Sequence, residues 1–164
     1  MGFTCEVCGR RHDGVRRDVR ARWPEPVFRL SEEERSEKTD FGEDLGWFQD
    51  DGVVHHYVRG VVAIPIVGAD EDFRFGAWIE VSRESWAELA ERWGERGDGR
   101  SGYEGVLANE LAPYSGTEGL SVRLRPNPNE RLLPLVELRD TRHPLGRDQA
   151  AGVSTVRAHE LAGF

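Results

Sequence analysis

The middle of the chain alternates apolar and polar residues with the two-residue period of a β-strand. Apolar residues stand at every second position from Phe73 to Val81, which predicts a strand with one buried face. Segments rich in β-branched and aromatic residues precede it at positions 45–50, 53–59 and 61–67. The turn sequence Asp-Asp-Gly separates the first two segments, so we expect short antiparallel strands.

Two segments carry helical signals instead. Trp86, Leu89, Ala90 and Trp93 are spaced i, i+3, i+4 and i+7, which predicts an amphipathic helix over residues 83–96 lying on the sheet. Ser31, followed three residues later by a glutamate, has the form of a capping box. A short acidic helix should follow it, to about residue 40.

The last third of the chain adds further strands and helices. Residues 103–111 fit a helix or a strand, and residues 120–125 and 132–138 read as two strands around a proline and asparagine turn. A short helix should end near Gly152, and Ser154 can cap a last helix over residues 155–162.

The order of these elements predicts a single α+β domain over residues 1–164, with a mainly antiparallel sheet and packed helices. Residues 1–14 would form a zinc-knuckle-like segment, and residues 15–164 the α+β body. A chain of this length can build a core without help from a metal.

Charge and hydropathy narrow the partners and the location. The chain has 30 acidic and 22 basic residues and a formal net charge of −8, which repels phosphate backbones, so nucleic acid is not an expected partner. No apolar run approaches the length needed to span a bilayer, and the charged first twenty residues argue against a cleavable signal. We therefore expect a cytoplasmic protein without a membrane partner.

The two cysteines of the chain are Cys5 and Cys8, and Gly9 follows them. Two thiolates at this spacing can hold a tetrahedral zinc ion, and the glycine permits a tight turn. In the cytoplasm such a pair favours metal binding or redox chemistry over a structural disulfide. An unmetallated dithiol and a redox pair remain open, although no strand or helix start is evident that would lower the pKa of the first thiol.

Histidines could complete the metal site. His12 stands four positions after Cys8 and is the expected third ligand. His143 precedes Pro144, so it lies in an extended or turning segment where it could cap a helix, stack or coordinate; it is the expected fourth ligand. His55 and His56 should point to opposite faces of a strand and so could not easily share one metal. The predicted metal ligands are therefore Cys5, Cys8, His12 and His143, and no catalytic residue is predicted.

A glycine-rich stretch at residues 97–102 satisfies the G-x-G-x-x-G pattern of dinucleotide-binding proteins. It follows a predicted helix instead of a strand, so a flexible loop is the better interpretation. Neither a P-loop nor a G-x-S-x-G motif occurs, so nucleotide-dependent phosphoryl transfer and serine-hydrolase chemistry have no support.

Several motifs together resemble the domain of unknown function 2199 family of small bacterial proteins. The resemblance covers nearly the whole chain and implies an order of elements, but no activity. The motifs are Cys-x-x-Cys-Gly with a nearby histidine, Leu30-Ser-Glu-Glu-Glu-Arg35, the segment from His55 to the Arg59-Gly60 pair, Ile64-Pro-Ile66, Gly76-Ala-Trp78-Ile-Glu-Val-Ser82 and the segment from His143 to Val153.

Two positions depart from the family pattern. This chain has Gly46 and Ala108 where many members carry a further cysteine. If those cysteines bind metal in other members, the site here is incomplete or is completed by histidine.

The sequence therefore predicts an uncharacterised bacterial protein that acts as a binding or interaction module with a structural zinc knuckle. Its partner would be an unknown protein or small molecule, and its oligomeric state is open. A first alternative is a zinc enzyme with an open metal position and Glu6 or Asp13 as a base. A second is an acidic partner-blocking protein, such as an immunity factor that neutralises a basic toxin, for which the net charge is the only support.

Overall fold

The computed structural model describes residues 3–4, 11–12, 18–93, 102–127 and 133–162. Strands and helices follow one another along these ranges. The strands are β1 (Phe3–Thr4), β2 (Arg11–His12), β3 (Asp18–Arg20), β4 (Thr39–Phe41), β5 (Leu45–Asp50), β6 (Val53–Ile64), β7 (Phe73–Val81), β8 (Tyr103–Leu107), β9 (Ser121–Arg125) and β10 (Leu135–Leu138). The helices are α1 (Glu25–Phe28), α2 (Glu32–Lys38), α3 (Arg83–Glu91), α4 (Pro144–Ala151) and α5 (Thr155–Leu161).

Five strands close into a barrel. Antiparallel pairing runs from β6 through β7, β8 and β9 to β10. β10 then pairs in parallel with β6, where Leu135 lies opposite Val61, and the sheet returns to its first strand. The predicted α+β class is confirmed and most strand pairs are antiparallel, but the sheet closes into a barrel with a parallel seam instead of forming a simple antiparallel sheet. Local periodicity could not show this closure, because the two strands of the seam are far apart in sequence.

Three strands extend the sheet beyond the barrel. β3 pairs in parallel with β7, β5 pairs in antiparallel with β6, and β4 pairs with β5. β3 and β4 are therefore the two end strands of this sheet. The segment between them, which contains α1 and α2, crosses the outer face of the barrel.

The barrel interior matches the predicted alternation. The five apolar positions of β7 are all buried, from Phe73 to Val81. The two predicted strands at 53–59 and 61–67 are instead one twelve-residue strand, β6. Gly60, at the boundary between them, allows β10 to approach, since a Cβ atom there would lie 2.6 Å from the side chain of Val136.

The predicted helix signals are confirmed, with different ends. Ser31 and Glu34 form the capping box of α2, which stops at Lys38. Leu89 of α3 is buried, and Trp86 on the helix and Trp93, two residues beyond its end, pack against the core. The segment at 103–111, for which the sequence left helix and strand open, begins with strand β8, and Ser154 caps α5.

The glycine-rich stretch at 97–102 lies almost wholly outside the described residues. No described helix combines the length and the apolar character needed to cross a membrane.

The side chain of Gln149 completes the seam of the barrel. Backbone pairing between β6 and β10 is short, with the Val61 N–H donating to Pro134 O at 2.9 Å. Farther along the seam, the Gln149 amide donates to Val136 O at 2.7 Å and approaches Ala63 O at 3.4 Å. Its carbonyl oxygen accepts from the Leu138 N–H at 2.8 Å. One side chain thus binds backbone groups of both strands where they no longer pair with each other.

The residues around Gln149 hold α4 in place. Gly146 permits close packing, because a Cβ atom there would lie 2.0 Å from Asp140 O. The Asp148 carboxylate accepts from the Tyr114 hydroxyl at 2.5 Å. Gly152 ends the helix with a φ of 82°, which favours glycine. The motif from His143 to Val153 therefore builds the architecture of the barrel.

Replacing Gln149 with leucine should destabilise the protein by about 2–3 kcal/mol, because backbone groups of the seam lose their hydrogen-bond partners. Urea unfolding of Gln149→Leu and wild type measures this difference. Gln49→Leu is the matched control: Gln49 is exposed on β5, so its replacement should change stability by less than about 0.5 kcal/mol. Equal effects in the two variants would show that the amide does not support the seam.

Candidate functional site

The predicted metal site falls mostly outside the described residues, where Cys5 and Cys8 lie. Its third predicted ligand, His12, is the last residue of β2. β1 and β2 pair in antiparallel, with Phe3 opposite His12 and Thr4 opposite Arg11. The backbone on either side of residues 5–10 is therefore held together.

His143, the predicted fourth ligand, caps α4. Its Nδ1 accepts from the Leu145 N–H at 3.1 Å, and its Nε2 lies 2.9 Å from Ser115 O. A neutral ring with the proton on Nε2 satisfies both contacts. Of the three roles considered for this histidine, the described structure has it capping a helix. Its role as a ligand stays a prediction, and coordination would require the ring to give up one of these hydrogen bonds.

The adjacent histidines of β6 have different surroundings. His55 Nδ1 lies 3.3 Å from a carboxylate oxygen of Glu80, and its ring stacks on Phe48. His56 packs against Trp86 of α3, with ring centroids 5.4 Å apart. Within the described ranges, no group of three or more histidine, cysteine, aspartate or glutamate side chains is arranged to hold a metal ion.

Tyr57 lies beside this pair but is only 1% exposed. Burial, followed by the negative charge and hydrogen bonding of Glu80, raises the pKa of its hydroxyl well above the ordinary value. The phenol therefore stays protonated at physiological pH and can serve as a hydrogen-bond donor, but not as a base.

A groove of about 500 Å³ opens between α2, β4 and the residues that follow β3. Trp23 lies in its wall, with the guanidinium carbons of Arg22 and Arg35 at 4.2 and 4.0 Å from the ring centroid. Arg35 also donates to the carbonyl oxygens of Val27 at 3.3 Å and Leu30 at 3.0 Å. The lining residues are Arg22, Trp23, Glu32, Arg35, Ser36, Thr39, Asp40 and Phe41.

Arg59 fixes the segments on both sides of this groove to the barrel. It is 4% exposed and donates to Ala21 O at 2.7 Å and to Glu43 O at 2.9 Å. Its guanidinium lies 4.4 Å from the ring centroid of Trp78, and its Nε is 3.7 Å from the Asp44 carboxylate. Burial lowers the pKa of Arg59, and nearby Arg20 adds to this effect, while Asp44 opposes it. The side chain still carries its charge at neutral pH.

Asn109 and Trp78 fix the wall that contains Trp23. The Asn109 amide oxygen accepts from the Trp78 N–H at 2.7 Å, and its amide nitrogen donates to Trp23 O at 2.8 Å. The indole of Trp78 donates to Arg22 O at 3.1 Å. The wall is thus hydrogen-bonded directly to the outer face of the barrel.

The two positions that depart from the family pattern lie near this site. Gly46 leaves room for the ring of Phe41, since a Cβ atom at position 46 would lie 2.1 Å from it. Ala108 is buried in the apolar cluster that contains Trp78, and Phe41 packs against the same cluster. In this chain, the ring of Phe41 fills the space that a side chain at position 46 would need. Ala108 belongs to the apolar cluster against which that ring packs.

Sequence reasoning missed the groove. Its residues come from two stretches of the chain, 22–23 and 32–41, and the weak helical spacing of positions 15–23 predicts no defined element there. Trp23 directly before Pro24 was the one local signal that the chain changes direction there.

The pKa of His56 is lowered, first by burial and then by the positive charge of Arg83. The unfolded chain therefore binds a proton at this position more readily than the folded protein. Stability from this source is present above the unfolded pKa of about 6.5 and is lost as pH falls toward the folded value.

We expect the free energy of unfolding to fall less between neutral pH and about pH 5.5 in His56→Gln than in wild type. Urea unfolding of both proteins at the two pH values checks this. A ring titration by NMR that places the pKa of His56 at or above about 6.5 would contradict it.

Lysine cannot replace Arg59. Arg59→Lys should cost about 2–3 kcal/mol, because one ammonium group cannot reach both backbone carbonyls in the geometry of a guanidinium. Thermal or urea unfolding measures this loss. Arg74→Lys, at an exposed position on β7, is the control and should be close to neutral. A similar small effect at both positions would mean that Arg59 does not fix the groove segments.

Of the comparisons with known proteins, one gives a match, and it is with a protein family. No curated protein and no solved structure matches the chain. The family model described as "uncharacterized protein conserved in bacteria (DUF2199)" matches residues 4–153. This range includes the whole barrel, the groove and α4. The chain belongs to the DUF2199 family.

Proposed function

We propose that this protein is a binding module whose N-terminal hairpin holds a structural zinc ion. The observation that supports this is the antiparallel pairing of β1 with β2, which joins the backbone on both sides of the two cysteines. Cys5 and Cys8 supply the thiolates, and His12 is the third ligand. The partner is a protein or a small molecule, since the net charge of −8 disfavours nucleic acid.

A binding role agrees with how the polar side chains of the described region are used. Arg59, Asn109, His143, Asp148 and Gln149 all form hydrogen bonds that hold segments of the fold together. The buried hydroxyl of Tyr57 cannot reach a solvent-borne substrate. The groove, in contrast, exposes aromatic and charged groups in a concave space that a partner can enter.

His143 is the fourth ligand in this proposal only if its ring leaves the cap of α4. His143→Asn separates the two roles, because asparagine can still cap a helix but provides no imidazole. His12→Ala removes the third ligand without touching α4.

We expect about one zinc ion per chain after purification without chelator, and loss of that zinc in the Cys5→Ser, Cys8→Ser double variant. The barrel should stay folded in the variant, because its core and seam come from residues beyond the hairpin. Elemental analysis and circular dichroism measure the two quantities. His12→Ala should weaken zinc binding, and comparison with His143→Asn identifies or excludes the fourth ligand.

Metal-free wild type with both thiols freely titratable would refute the zinc hairpin. Loss of a measurable activity on zinc removal, with the fold intact, would show a catalytic metal instead of a structural one.

A further inference from the structure

The outer edge of β4 carries backbone groups that face away from β5, and the three residues of this strand line the groove. The Gly42 N–H donates to Leu45 O at 2.8 Å, and the antiparallel register places Asp40 opposite Trp47. In an antiparallel ladder, hydrogen-bonded residue pairs alternate with pairs that are not hydrogen-bonded. The N–H and C=O groups of Asp40, two residues before Gly42, therefore point toward β5, whereas those of Thr39 and Phe41 point away from it.

Only one of these outward groups has a backbone partner within the described residues. The Thr39 N–H donates to Arg35 O at the end of α2. The Thr39 C=O and both the N–H and the C=O of Phe41 have none there. Thr39, Asp40 and Phe41 also line the groove, whose volume of about 500 Å³ is open to solvent. An added strand can pair with such an edge and place alternate side chains in the neighbouring groove.

We propose that the β4 edge receives an extended segment of a partner protein, with a lysine or arginine opposite Asp40. This names the partner of the binding module proposed above and does not depend on the zinc ion. Asp40 is exposed, and no described lysine or arginine forms an ion pair with it. A basic residue opposite it on the added strand supplies the missing charge.

The other charges of the groove do not decide the partner. Arg22 and Arg35 add two positive charges, and Glu32 adds a negative one. The side chain directly opposite Asp40 therefore determines which strand fits. The net charge of −8 also favours the approach of a basic partner.

A second copy of this chain is a poorer occupant of the same edge. Antiparallel pairing of two β4 strands about their centres would place Asp40 opposite Asp40, because it is the middle residue of the strand. Like charges directly opposite each other destabilise a strand pair.

A displayed library of random short peptides, selected on the intact purified protein, tests the proposal. Selected peptides should share a lysine or arginine between β-branched or aromatic residues. A synthetic peptide of the selected sequence should slow amide exchange of Phe41, whose N–H becomes hydrogen-bonded. Asp40→Lys should weaken its binding about fivefold to tenfold, and a peptide with glutamate at the basic position should recover that loss.

Asp70→Lys makes the same charge change at an exposed site outside the groove and should leave the Kd within about twofold. The proposal is overturned if no peptide is selected, if the selected peptide protects amides elsewhere, or if Asp40→Lys binds it unchanged. Slow exchange of Phe41 in the protein alone, with concentration-dependent dimerisation, would assign the edge to a second copy and overturn it as well.

The cysteine double variant separates this proposal from the zinc hairpin. Peptide binding retained without zinc supports the β4 edge, whatever the fate of the hairpin. Zinc bound at full occupancy without any peptide binding refutes the edge and leaves the hairpin standing.

Discussion

The parallel seam between β6 and β10 is the constraint on which the structure depends. All other neighbours in the barrel pair in antiparallel, and the seam has little backbone pairing of its own. Gln149 supplies hydrogen bonds to both strands there, and Gly60 lets them approach. Because closing a barrel requires its strands to meet in a fixed register, the Gln149 side chain links the position of α4 to the shape of the barrel.

The same link gives structural roles to the motif that runs from His143 to Val153. Each of its conspicuous residues has a structural contact: His143 caps α4, Gly146 admits close packing, Asp148 holds Tyr114 and Gln149 closes the seam. The Arg59-Gly60 pair likewise fixes the outer segments and the approach of β10. The family match covers residues 4–153, and within that range these motif residues hold the barrel and the segments around the groove together.

Local patterns predicted local structure well. The strands at 45–50 and 73–81 have the predicted limits, and the capping box of α2 forms as expected, since each depends on neighbours within a few residues. Closure of the barrel could not be predicted in this way. The burial of Arg59 could not be predicted from the sequence either, because its hydrogen-bond partners Ala21 and Glu43 come from segments without a periodic pattern of apolar residues. The metal ligands stay a prediction, since the cysteines lie outside the described residues.

Closure removes free edges from the five barrel strands but leaves β3 and β4 at the ends of the extended sheet. The charges on these two strands have different surroundings. Arg20 of β3 lies 3.5 Å from Glu43, whereas Asp40 of β4 has no such partner among the described side chains. A carboxylate in the middle of an edge strand disfavours pairing with an identical strand, and charged edge residues are one way in which proteins avoid edge-to-edge aggregation. The same carboxylate favours a strand of opposite charge, so in the proposed complex one side chain both disfavours pairing of identical strands and selects a basic partner.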